Sequence, residues 1–198
     1  TLPINSNSYF YPGVSMSFIA TDYLKQKNIE TGVLDFAKLR MSYAMTGNDA
    51  EPYYIYDRYV SAFSSNPGYP ELDNLKFPLG GINSYSVSDR LGNKDLKPEL
   101  TNEFEVGSEL RFFSNRLGVD FTYYNKYTKG LIEVLPKDPS SGYTSQISNL
   151  GDISNKGYEI ALDITPVKTK NFKWTINWNF SQNFNKVEKL DIDEVYIA

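Results

Sequence analysis

The sequence predicts an all-β protein whose antiparallel sheet is built like the wall of a transmembrane barrel. Three observations lead there. The 198 residues include 16 Tyr and 12 Phe, mixed with the Thr, Val and Ile that suit a pleated, half-buried surface. Six segments alternate apolar and polar side chains with a period of two. The links between them are short at one end and long at the other, the asymmetry of outer-membrane barrels.

Taken in chain order, Val14, Met16, Phe18 and Ala20 oppose Ser15, Ser17 and Ile19, and Leu39, Met41, Tyr43 and Met45 oppose Lys38, Arg40, Ser42 and Ala44. Phe104, Val106, Ser108, Leu110 and Phe112 alternate with Glu103, Glu105, Gly107, Glu109 and Arg111. The fourth segment sets Leu117, Val119, Phe121 and Tyr123 against Gly118, Asp120, Thr122 and Tyr124. The fifth sets Tyr158, Ile160, Leu162 and Ile164 against Gly157, Glu159, Ala161 and Asp163. The last is the cleanest: Phe172, Trp174, Ile176, Trp178 and Phe180 against Lys173, Thr175, Asn177, Asn179 and Ser181. Asn155-Lys156-Gly157 has hairpin composition, but the alternation that resumes at Tyr158 makes it the start of a strand.

Asp22 to Asp35, Phe113 to Arg116 and Thr165 to Asn171 read as the short or moderate links, the last helped by Pro166. Gly47 to Leu100 and Gly130 to Asp152 read as long loops, rich in turn-forming residues such as Ser64-Ser65-Asn66-Pro67-Gly68-Tyr69-Pro70. Parity leaves register open in steps of two. Like-charge avoidance favours Arg111 opposite Asp120 and Glu105 opposite Lys126 over Glu109 opposite Asp120. The last hairpin is expected to pair Ile164 with Phe172, Leu162 with Trp174 and Asp163 with Lys173.

Composition excludes several functions. Without Cys or His the chain has no thiol nucleophile, no disulfide framework and neither of the commonest zinc ligands. A formal charge of −4 with no basic block argues against nucleic acid. Glu103, Glu105 and Glu109 share a strand face and read as wall residues, not as glycosidase acids, so no enzyme is expected. Asp191, Asp193 and Glu194 lack a calcium-loop pattern and read as a solvated acidic loop; no metal or cofactor is expected. No run reaches the roughly eighteen apolar residues of a helical span, and Thr1-Leu2-Pro3-Ile4-Asn5 does not resemble a secretory signal. Neither observation bears on a barrel, whose strands are short and two-faced.

A soluble antiparallel sandwich also alternates, so pattern alone leaves two architectures open. In a barrel, Arg40, Glu105, Glu109, Arg111, Asp120, Glu159, Asp163, Asn177 and Asn179 would face a polar lumen, and Tyr158, Ile160, Leu162, Trp174, Ile176 and Trp178 would face lipid. In the first long loop, Tyr53, Tyr54, Tyr56, Arg58 and Tyr59 are the candidates for contact with a substrate or a partner.

Four motifs add a resemblance. Lys38-Leu39-Arg40-Met41-Ser42-Tyr43-Ala44-Met45-Thr46-Gly47-Asn48, Leu96-Lys97-Pro98-Glu99-Leu100-Thr101-Asn102-Glu103 with Glu105-Val106-Gly107, Asp120 to Ile132, and Asn149-Leu150-Gly151-Asp152-Ile153-Ser154-Asn155-Lys156-Gly157-Tyr158-Glu159 resemble, in order, segments of the SusC/RagA-like TonB-dependent outer-membrane receptors of the Bacteroidetes. Lys97-Pro98-Glu99 departs from the family, which often has an aromatic before the Glu. The resemblance implies that residues 1–198 are part of a barrel of about 22 strands, with the plug domain and TonB box outside this stretch. The chain also lacks a terminal aromatic strand, since Tyr196-Ile197-Ala198 follows the acidic stretch. The implied role is import of oligosaccharides or peptides across the outer membrane, with a SusD-like surface lipoprotein as lid, the TonB complex as energy source and outer-membrane lipid around the wall. A soluble glycan-binding sandwich, or a passive porin or adhesin, is the alternative. A wall fragment of six strands is expected to leave both sheet edges unpaired.

Overall fold

The computed structural model describes residues 8–61, 78 and 80–190. The readings of Thr1–Asn5, Ser64–Pro70, Asp191, Asp193, Glu194 and Tyr196–Ala198 fall outside them. The six expected strands are present as β1 (Gly13–Ile19), β2 (Leu34–Asn48), β6 (Glu99–Phe112), β7 (Leu117–Pro136), β8 (Ser145–Lys168) and β9 (Lys173–Leu190). Three short strands, β3 (Tyr59–Ser61), β4 (Tyr85–Val87) and β5 (Arg90–Leu91), lie in the long first loop. The main sheet runs β1-β2-β6-β7-β8-β9, antiparallel throughout apart from β5, which pairs parallel with β8. Among the described residues β1 pairs only with β2, and β9 only with β8. The sheet is therefore an open barrel wall, and no described helix is long and apolar enough to cross a membrane.

The faces follow parity. Register links Met16, Met41, Val106, Tyr123, Tyr158 and Gln182 in one cross-strand row, and Phe18, Leu39, Ser108, Phe121, Ile160 and Phe180 in the next. Opposed residues in a ladder share a face, so these rows form an apolar side. Toward the long loops it extends through Met45 on β2, Tyr127 on β7 and Phe184 on β9, with Asn125 and Gln182 as polar interruptions.

Both expected registers are corrected. Glu109 does lie opposite Asp120, and Lys126 opposite Glu103. The tight turn after Phe112 imposes this, with Phe113, Ser114 and Asn115 all near φ +58° and Arg116 N–H donating to the Phe112 carbonyl at 3.0 Å. In the last hairpin Ile164 pairs with Ile176, Leu162 with Trp178 and Asp163 with Asn177. β8 runs on through Pro166, which sits in a bulge between Ile164 and Val167, where its missing donor is tolerated. The turn is thus Thr169 to Phe172, closed by Thr169 N–H to the Phe172 carbonyl at 2.8 Å. The shift is even, so the facing survives.

Three further readings are corrected. Gly130 to Asp152 is mostly strand: β7 continues to Pro136, β8 begins at Ser145, and only a short connection with a 3-10 turn (Pro139–Ser141) lies between. Asn155-Lys156-Gly157 is therefore inside β8, not at its start. Ala20 does not extend β1; it opens α1 (Ala20–Gln26), whose buried Thr21 hydroxyl accepts from Ala37 N–H at 3.4 Å. The buried apolar core sits at the long-loop end, where Ala50, Ile55, Leu96 and Ile147 pack with Tyr54 and Ile132.

Candidate functional site

The nine expected lumen residues all fall on the polar side of the sheet. They occupy rows that place Arg111 level with Asp163 and Asn177, Glu109 with Asp120 and Asn179, Arg40 with Glu159, and Glu105 one row further. Across five rows this side carries Glu103, Glu105, Glu109, Asp120, Glu159 and Asp163 against Lys38, Arg40, Arg111 and Lys126. Carboxylates outnumber cations.

Glycine lets the long cations cross strands. Arg40 on β2 lies over Gly107 of β6, where an added Cβ would stand 2.6 Å from Arg40 Nε. Its guanidinium thereby reaches Asp120 on β7 in a bidentate pair, 3.1 Å to Oδ2 and 2.8 Å to Oδ1, with Glu105 at 3.8 Å. Arg111 on β6 repeats the device one strand over, lying across Gly118 of β7 to reach Asp163 on β8 at 3.2 Å. It also holds Glu109 at 3.0 Å. Each like-charge neighbour is thus neutralised diagonally, which is why Glu109 opposite Asp120 is tolerated. Lys126 pairs with Glu103 at 3.2 Å, a contact that sequence reasoning missed because it assigned Lys126 to Glu105.

The β9 side chains differ. Thr175 meets Thr165 at 3.4 Å, but Asn177 and Asn179, like Ser181, Asn183 and Asn185, sit on the polar side beside no assigned hydrogen-bond partner among the described residues.

At the long-loop end the resemblance motifs converge in space. Asn48 Nδ2 donates to Glu99 at 2.9 Å, and the other Glu99 oxygen accepts from Ile132 N–H at 2.8 Å. Asn149 accepts from Lys97 N–H at 3.0 Å and donates to the carbonyls of Lys97 and Gly130. Asp152 accepts from Tyr127 Oη and Gly130 N–H, fixing the bulge in β7 where Gly130 has φ +66°. These residues strap the loop to the wall. The sequence signalled their importance by resemblance, and hydrogen bonding gives the reason.

The five loop candidates divide. Tyr54 packs on the small core with the Arg90 guanidinium 4.4 Å above its ring, and its hydroxyl is pushed above the usual tyrosine range, chiefly by its hydrogen bond to Glu51. Tyr53, Tyr56 and Tyr59 are 62%, 55% and 75% exposed, with Arg58 6.0 Å from the Tyr53 ring. Asp57 and Gly92 pin this strip to the segment before β6, through Gly92 N–H to Asp57 at 3.0 Å.

A family model for the TonB dependent receptor-like β-barrel matches residues 2–194. The chain belongs to that family. This receptor-barrel chain is 30% identical over 197 residues to TonB-dependent receptor P3 of Formosa agariphila, covering 98% of this chain and 18% of the relative. It is 24% identical over 172 residues to TonB-dependent receptor SusC of Bacteroides thetaiotaomicron, covering 84% and 16%. Among solved structures, the RagAB peptide importer in its closed-closed state matches with a TM-score of 0.78 and 25% identity, covering 98% of this chain and 20% of that one. The SusC/RagA resemblance is thereby borne out, and the chain spans under a fifth of the curated relatives it matches.

Proposed function

We propose that this chain supplies barrel wall to an outer-membrane importer of the SusC type, energised through TonB and working with a SusD-like surface lipoprotein as lid. The observation that carries the reading is the two-sided wall: an apolar side suited to lipid and an opposite side of crossed ion pairs suited to a water-filled or plugged interior. The plug and TonB-contacting segment then belong to parts of the receptor outside residues 1–198. The solute class is an oligosaccharide or a peptide, and the similarity to a peptide importer supports the second. The exposed Tyr53, Tyr56, Arg58 and Tyr59 are its candidate contacts, because tyrosine offers large contact area with little rotamer freedom to lose. A glycan-binding sandwich lacks support, since the strands form one continuous main sheet.

The test is uptake by cells producing the complete receptor. Labelled peptide or oligosaccharide should enter only while TonB and the proton gradient operate. Uptake that persists without TonB would replace the importer with a passive porin. Substituting Tyr53, Tyr56 and Tyr59 together by Ala should impair uptake while leaving barrel insertion intact; normal uptake would make the strip a passive cover.

A further inference from the structure

The polar side holds one carboxylate without a partner beside a cavity. Glu159, on β8, makes no assigned hydrogen bond or ion pair among the described residues, although Thr122 and Ser181 lie level with it on either side. The nearest cation on that row, Arg40, is already held by Asp120. Lys38 belongs to β2, three strands away. Around Glu159 the surface falls into a hollow of about 380 Å³ lined by Arg40, Asp120, Thr122, Ala161, Asn179 and Ser181. Ala161, the next residue of β8 on the same side, is small and leaves room for the hollow, whereas over Gly157 the Tyr124 side chain takes the space. A row further along, the Asn155 Oδ1 atom is buried and lacks a donor. The β8–β9 strip is therefore rich in acceptors that nothing described satisfies.

We propose that this hollow binds a guanidinium or ammonium group, with Glu159 as its counter-ion and the Asn179 carbonyl and Ser181 hydroxyl accepting its remaining hydrogens. A cation with several donors satisfies what the site lacks: it adds charge where carboxylates are in excess and fills acceptors on two strands at once. An anion would meet Glu159 and Asp120 without a free cation to hold it. The inference rests on the reading of this side as the interior of an importer, and the cation has two sources there. It belongs to a basic side chain of the polypeptide that fills the barrel, or to a basic residue of the transported solute.

The experiment uses the complete receptor in outer membranes, with Ser181→Cys as the single reactive thiol and a charged, water-soluble maleimide as probe. Ser42→Cys, on the same side but on β2, serves as reference. Protection of Ser181→Cys without added solute, relieved roughly tenfold by Glu159→Gln as expected for loss of one charge-assisted contact, would assign the cation to the receptor itself. Protection that appears only with an arginine- or lysine-rich peptide, not with a matched acidic one, and disappears in Glu159→Gln would assign it to the solute. A labelling rate that Glu159→Gln leaves unchanged in every arm overturns the proposal. If Ser42→Cys labels in that case, this side is open to water and the importer reading stands. Protection at both positions with rapid labelling at Ile176→Cys would put this side against lipid and remove both readings.

Discussion

The polar side is built in two ways. On β2, β6, β7 and the adjoining edge of β8, charged residues are spent on one another: Arg40, Arg111 and Lys126 each hold a carboxylate on a neighbouring or next-but-one strand. On β9 the same side presents neutral amides and a hydroxyl, with Asn177, Asn179, Ser181, Asn183 and Asn185 uncommitted. The first region fixes the wall's own geometry. The second leaves hydrogen-bonding capacity for something that is not the wall, and an unsatisfied amide in contact with water carries little penalty until water is excluded.

The contrast between sides breaks most sharply at β9. Ile176→Arg should cost about 2–4 kcal/mol if it lies near the bilayer midplane, whereas Asn177→Arg, one residue away, should stay within about 0.5 kcal/mol. Denaturant unfolding of the complete receptor in lipid compares the two, and equal costs would reverse the assignment of faces. Glycine comes next. At Gly157 an added Cβ would stand 2.6 Å from the Gln182 carbonyl and meet the Tyr124 ring, so Gly157→Ala must part β8 from β9, at about 1–3 kcal/mol. At Gly118 the obstacle is only the movable Arg111 side chain, and Gly118→Ala should cost less in the same assay.

A smaller effect separates the committed and uncommitted regions directly. Asp120→Asn removes the charge that Arg40 grips; with about a third of each side chain open to water, the loss should be about 1 kcal/mol. Asn179→Ala should leave stability unchanged within about 0.5 kcal/mol. If the two substitutions cost the same, the lattice contributes no more than the ladder.

The smallest effect lies outside the sheet. Asp138 accepts from Ser140 N–H at 2.8 Å, and that bond holds its carboxyl below the usual range. Because the folded value is the depressed one, the turn is fully supported above the unfolded aspartate range near pH 4 and loses that support as pH falls through the folded value. Amide exchange at Ser140 should quicken on acidification, and Asp138→Asn should remove most of the pH dependence.

These contrasts explain what the sequence could disclose. Facing was legible because a period of two is carried by every residue, and one slip would turn Ile176 and Trp178 to the wrong side. Register was not. The turn at Phe113-Ser114-Asn115 adopts three successive left-handed residues without a glycine to announce them. Charge logic misled because it compared only directly opposed residues, while Arg40 acts two strands away across Gly107. The loop residues Tyr53 and Tyr54 look alike in sequence. Only the core of Ala50, Ile55, Leu96 and Ile147 divides them into an exposed ring and a packed one.

The cross-strand rows of the wall have a geometric meaning. Strands of outer-membrane barrels lean by ~35–45° from the barrel axis. Cross-strand rows then run uphill around the wall. The ion pairs within those rows become a spiral stair, with Arg40 and Asp120 bridging two of its steps: Arg111 with Asp163 stands toward the short turns, and Lys126 with Glu103 toward the long loops. The charges of the wall therefore lie at changing depth and changing bearing, not as a ring at a single level.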